Sequence, residues 1–246
     1  MLYATDALLN ARHTMDNINP QLTGQFTRLF EYLIFKPSAG AQRKNLSFPI
    51  ESSIYIDWSA KKFAAGRIDK QPNTPQTVPD NMVSVILHQY YNCEEEQLPR
   101  IQHEHRLSMA AENIIGDLLE RYLASVLEPR GWIWCSGETL TSIDFIRPPS
   151  DISPKWFALQ VKNRDNSENS SSNKVRKDKD IHHWFRTFSK KNGDNWAAFP
   201  GHHSPYLLSE EDFERFVRGY LADIKSTAIP SLFDMIKLPN KGATVF

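Results

Sequence analysis

Hydrophobic positions along this chain follow two different periods. In GQFTRLFEYLIF (24–35), Phe26, Leu29, Phe30 and Leu33 recur every three to four residues, which predicts an amphipathic helix. A longer run, LSMAAENIIGDLLERYLASVLEPRGW (107–132), sets Ile115, Leu118, Leu119, Tyr122, Leu123 and Val126 on one stripe. Ser108 is placed to cap its start, and Pro129 and Gly131 to end it. A third helix is predicted over SEEDFERFVRGYLADI (209–224), where Ser209 precedes an acidic first turn. Shorter apolar runs predict strands: SIYIDW (53–58), MVSVILHQYY (82–91), WIWCSG after residue 131, TSIDFIRP (141–148) and WFALQVKN (156–163). DKQPNTPQTVPDN (69–81) reads as a loop and NRDNSENSSSN (163–173) as a low-complexity linker. The succession of helix, strand, turn, strand and strand predicts an α/β core over residues 105–246, with a central mixed β-sheet flanked by α-helices. Residues 1–104 are left as an N-terminal extension without a chemical motif.

Composition narrows the partner classes. The 246 residues include 29 basic and 29 acidic side chains, so the net charge is zero. Whole-molecule attraction to a polyanion is not encoded, and any nucleic-acid contact has to come from local charge. Two cysteines, Cys93 and Cys135, do not make a disulfide framework and point to a reducing cytoplasm. The first residues lack the basic start and apolar run of a signal peptide, and no stretch approaches the roughly 18 apolar residues of a membrane span. The histidines at 103, 105, 182, 183, 202 and 203 complete no zinc pattern with the cysteines. Neither a P-loop nor a GxSxG motif is present.

The candidate chemistry lies on two neighbouring predicted strands. Fifteen residues separate Asp144 from Gln160. Gln160 and Lys162 share one strand face because side chains alternate with period two, while Leu159 and Val161 point the other way. If the strands form a hairpin, a carboxylate, an amide oxygen and an ammonium meet at one spot. That set suits phosphodiester hydrolysis: Asp144 binds a hard cation such as Mg²⁺, the Val161 carbonyl is a further ligand, and Lys162 orients the attacking water and offsets charge on the phosphorane.

The motif, SID144 followed by Q160VK162, resembles the PD-(D/E)XK nucleases. Ile143 stands where the pattern has proline, and Gln160 where it has a second acid, so the metal site lacks one negative charge. The resemblance implies a helix glutamate as replacement. Glu120, in a Gly116-to-Glu120 GxxxE spacing ahead of the Gly131-Trp132 turn, is the first candidate; Glu112 and Glu138 follow.

The string QVKNRDNSENSSSNKVR, then HHWFRTF and GDNW, is similar to the SinI-type restriction endonucleases over roughly residues 105–200. That resemblance implies a type II enzyme cutting both DNA strands at a GGWCC-like site. It also implies Mg²⁺, a cognate DNA methyltransferase, a homodimer and a cytoplasmic bacterial setting. On that reading, the segment after Lys162 contacts DNA through Asn163, Arg164, Asn166, Ser167, Asn169, Ser170, Ser171, Lys174, Arg176, Lys177 and Lys179. The arginines suit guanine edges and the lysines suit phosphates. Two alternatives stay open: a DNA-binding domain with a degenerate nuclease fold, favoured by Gln160, and a repair or junction nuclease.

Overall fold

The computed structural model describes residues 2–42, 47–76, 78–151, 153–165, 180–200 and 208–228. The helices are α1 (Leu2–Ile18), α2 (Thr23–Phe35), α3 (Ser53–Ala65), α4 (Asn81–Gln89), α5 (Leu98–Leu127) and α6 (Glu210–Ala228). Between α5 and α6 run β1 (Ile133–Trp134), β2 (Phe145–Arg147), β3 (Phe157–Arg164) and β4 (Ile181–Thr187). They form one sheet in the order β1-β2-β3-β4. The first two pairings are antiparallel and the third is parallel, so the sheet is mixed. Among the described residues no helix is long and apolar enough to cross a membrane.

Strand alternation sends side chains to two cores. Ile133, Ile146, Ala158 and Ile181 join Phe26, Phe30, Leu33, Ile56 and Phe63 from α2 and α3. Trp134, Phe145, Leu159 and Trp184 join Leu118, Leu119 and Leu123 of α5 and Phe213 of α6. The sheet is thus flanked on both faces, and the first 65 residues supply one of them. The α5 helix ends at Leu127, and the 3-10 turn that follows closes at Gly131, whose φ of 84° is a left-handed conformation that favours glycine.

Several sequence expectations are corrected. SIYIDW is not a strand but the start of α3. The six-residue window hid the helical spacing of the buried Tyr55, Ile56, Ser59, Ala60 and Phe63, and the Ser52 hydroxyl accepts from the Tyr55 N–H at 3.2 Å as an N-cap. MVSVILHQYY is likewise helical over α4, capped by Asp80 Oδ1 accepting from Met82 N at 2.9 Å. Its β-branched residues favour strands only where a sheet neighbour exists. The α5 helix begins at Leu98 rather than near Leu107, so Ser108 is a mid-helix residue and His103 and His105 lie within the helix. The IHHWFRT run, for which no element is predicted from the sequence, is the strand β4 with Trp184 buried. No residue of α4 is buried; Met82, Val83, Val85 and Ile86 are exposed, as are Tyr90 and Tyr91 just after it.

One side chain ties the N-terminal layer to α5. Arg121 is buried and donates from Nε to Asp117 Oδ2 at 2.6 Å. Its Nη2 donates to the carbonyls of Ile68 at 2.6 Å and Gly66 at 3.2 Å, and its Nη1 to that of Arg67 at 3.2 Å. Below this clamp the loop after β1 presses on the end of α3. A Cβ on Gly66 would come within 2.2 Å of Gly137 N, and one on Gly137 within 2.0 Å of the Lys62 carbonyl. Only bare backbone fits there. Removing a partner from a buried, hydrogen-bonded charge costs about 3–5 kcal/mol, so Arg121→Ala is expected to lower the unfolding free energy by that order in urea denaturation. Arg121→Lys should recover little of it, because one ammonium cannot serve three carbonyls and a carboxylate together.

Candidate active site

The hairpin expected from the sequence is present. Phe145 pairs with Leu159, and the Asp144 N–H donates to the Leu159 carbonyl at 2.9 Å. The ladder therefore sets Asp144 opposite Gln160. Asp144 Oδ2 accepts from the Val161 N–H at 2.6 Å, which fixes the carboxylate to β3. Glu120, from α5, accepts from the Trp134 indole N–H at 2.9 Å. Both acids line a cleft of about 700 Å³ between α5, the β1–β2 connection and the N-terminal layer. Its opposite wall carries Lys62 and Lys70, and Lys70 Nζ is 2.7 Å from Asp117 Oδ1.

Burial shifts both acids, and the charge of Asp144 adds to the shift at Glu120. Dehydration, then the charge of Asp144, pushes the Glu120 carboxyl up from its ordinary 4.5 to about 7. Dehydration likewise raises Asp144 from 3.8 to about 6, opposed by the Val161 N–H and the charge of Lys162. Among the described residues no group of three or more His, Cys, Asp or Glu side chains is arranged to hold a cation. The donor set is two carboxylates and the backbone oxygens around them, which fits a hard cation that keeps much of its water. A cation there would also offset the dehydration that raises both acids and the Asp144 charge that adds to it at Glu120.

Other candidates fall as follows. Gln160 Oε1 lies 2.9 Å from His183 Nδ1, across the register that pairs Gln160 with His183. Lys162, with Asn163 and Arg164, lines a second groove of about 730 Å³ on the far side of Gly116. Asn163 Oδ1 accepts from Arg186 Nε and Nη2 at 3.0 and 2.9 Å, so that oxygen faces the protein. Arg164 is exposed. Asn166, Ser167, Asn169, Ser170, Ser171, Lys174, Arg176, Lys177 and Lys179 lie outside the described residues. Of the alternative acids, Glu112 is exposed and lines the second groove, and Glu138 lines the same cleft as Asp144 and Glu120 but is exposed, 4.0 Å from Lys62. Sequence reasoning missed His183, Lys62, Lys70 and Asp117. His183 becomes visible once β4 is seen to pair with β3; nothing in the sequence marked Lys62 or Lys70.

The chain matches the family model described as SinI restriction endonuclease over residues 7–223. This protein belongs to the SinI restriction endonuclease family. Two relatives in the family show how close the match is. The type II restriction enzyme Eco47I of Escherichia coli is 47% identical over 216 residues, covering 87% of this chain and 94% of the relative. The type II restriction enzyme SinI of Salmonella infantis is 46% identical over 217 residues, with the same coverage. The SinI-family match begins in α1, so it takes in the N-terminal layer that the sequence motifs, confined to roughly 105–200, left aside.

The raised acids fix a sign for pH dependence. An acid whose carboxyl is raised in the folded state binds protons there after the unfolded chain has released them, so stability falls as pH rises across the interval. For this pair the loss begins near the ordinary carboxylate range, about 4 to 4.5, and is complete above about 7. The metal-free protein is therefore expected to melt lower at about pH 8 than at about pH 5. Added divalent cation should stabilise it more at the higher pH. The double variant Asp144→Asn with Glu120→Gln should flatten both differences in thermal melts.

Proposed function

We propose that this protein is a type II restriction endonuclease that hydrolyses phosphodiester bonds in double-stranded DNA at the cleft holding Asp144 and Glu120. The observation that carries the reading is that pair of dehydrated carboxylates, one pinned to β3 by the Val161 N–H, with the Lys162 charge acting on the same centre. Family membership supports it: the two relatives are named type II restriction enzymes.

In this reading Asp144, Glu120 and the Val161 carbonyl hold Mg²⁺, which is suited to oxygen donors and retained water. The cation supplies Lewis-acid polarisation of the phosphate and a more acidic water. Asp144 and Glu120 would hold it as ionised carboxylates. Lys162 orients the water oxygen that forms the new P–O bond and offsets negative charge as the ester P–O bond breaks. Gln160 serves as an auxiliary ligand or orienting group, steadied by His183. The segment from Asn163 to Lys179 contacts DNA, and residues 1–104 wall the cleft opposite Glu120. A GGWCC-like target, a cognate DNA methyltransferase that shields host sites, and a cytoplasmic setting follow from the family resemblance. A homodimer matches the two-fold symmetry of a duplex site, and the exposed apolar face of α4 is a surface for it.

Plasmid digestion with Mg²⁺ tests the chemistry. Asp144→Ala and Lys162→Ala should each abolish discrete fragments while the far-ultraviolet circular dichroism spectrum stays that of the parent. Glu120→Gln should lose activity, and Gln160→Glu should keep it because it restores the commoner acid at the same length. Full activity in Glu120→Gln would remove that residue from the site. Light scattering tests the assembly: the parent should have twice the chain mass, and Ile86→Asp should have the mass of one chain. A parent of single-chain mass would remove the dimer and leave the chemistry standing.

A further inference from the structure

Helix glycines are expected where packing or backbone conformation demands them, because glycine is the poorest ordinary helix former. Gly116 sits deep within the 30-residue α5, and neither demand applies. A Cβ built there meets no atom within 4 Å, in contrast to Gly66 and Gly137, where the neighbouring backbone leaves no room. Within the chain the missing side chain therefore has no use at Gly116, nor at the helix glycines Gly24 and Gly219, where a Cβ also meets nothing.

The surroundings supply one. Gly116 borders both cavities: the cleft of Asp144, Glu120 and Lys70 on one side, and the groove of Lys162, Asn163 and Arg164 on the other. The groups expected to act on one phosphate are thus split between two hollows, and Gly116 is the α5 residue common to their walls. Ser108, Glu112, Gly116 and Glu120 follow one another at four-residue spacing, so they lie along one side of the helix. Gly116 is half-buried between these walls.

We propose that the sugar–phosphate backbone of the cleaved strand crosses α5 against the bare Cα of Gly116, passing from the Lys162 groove into the Asp144 cleft. The inference rests on the nuclease reading and adds a positioning residue to it. Glycine is kept at a cost in helix stability because any side chain would lift the strand away from Lys162 and the carboxylates. The ligand chemistry that fits is a phosphodiester backbone: narrow, flexible and sequence-independent at this point.

The test is the full chain carrying Gly116→Ala or Gly116→Leu, with Gly219→Ala as control. Gly219 is a solvent-exposed glycine of α6, and a Cβ on it also meets nothing within 4 Å. Thermal melting should show both alanine variants more stable than the parent, since each gains helix propensity. Cleavage of plasmid with Mg²⁺ should be unchanged in Gly219→Ala. It should fall by about a hundredfold in Gly116→Leu, the scale of a displacement of about 1 Å, and by a smaller factor in Gly116→Ala. Binding of a duplex carrying the mapped cut site, measured in chelator, should weaken in the same order, which a defect confined to the chemical step would not give. In a Cys93→Ser background, the thiol introduced by Gly116→Cys should be alkylated freely in the apo protein and protected by that duplex. Parent-like cleavage and binding in a folded Gly116→Leu, or a lower melting temperature in Gly116→Ala, would overturn the inference and leave the reading intact. Cleavage that survives Asp144→Ala would instead overturn the reading, and the thiol protection would still report whether DNA lies on Gly116.

Discussion

Two carboxylates are held in a dehydrated cleft, and much of the local architecture answers the cost of keeping them there. The Val161 N–H donates to Asp144 and the Trp134 indole to Glu120. Lys162 acts on the first acid and Lys70 on the second. The groups that act on the acids come from β1, β3 and the segment that follows α3. None of them cancels the unfavourable field, since both acids stay raised. The scaffold holds apart from water a charge arrangement that it would not adopt for stability alone, which is what a site awaiting a cation requires.

The parts that were legible in the sequence are the ones that short-range chemistry decides. Alternation placed Gln160 and Lys162 on one face, and the antiparallel pairing of β2 with β3 set Asp144 opposite Gln160, while Lys162 lines the neighbouring groove. The amphipathic stripe of α5 was visible, although Pro99 at its true start was not read as a helix opening. The errors at α3 and α4 came from windows too short to separate a period of two from one of 3.6. In SIYIDW the deciding residues, Ser59, Ala60 and Phe63, lie just beyond the run or at its end. The strand β4 was hidden because seven Lys and Arg between 174 and 191 drew attention to charge rather than to Ile181 and Trp184.

The opposite wall of the cleft was out of reach for a different reason. Lys62 and Lys70 sit in ordinary helical and loop sequence, and long-range contacts such as the Arg121 clamp and the Gly66–Gly137 approach bring them to the cleft of Glu120. A zero net charge is consistent with this placement. The basic groups on the cleft are already engaged with Asp117 and Glu138, and four carboxylates against two ammonium groups line it, so its surface is acidic, not positive.

The Gly66–Gly137 contact and its neighbours also set an order of events in folding. Ser136 donates to the Phe63 carbonyl across 73 positions, Arg67 to Glu128 across 61, and Lys70 N–H to the Tyr220 hydroxyl across 150. Joining ends so far apart costs chain entropy before any contact rewards it, so such closures come late. The β2–β3 hairpin that carries Asp144 and Lys162 is local and can form early, but the cleft around it closes only when the N-terminal layer docks. An emerging chain thus carries its reactive side chains for some time before it has a working site, and the completed site is a property of the whole chain, not of its motif.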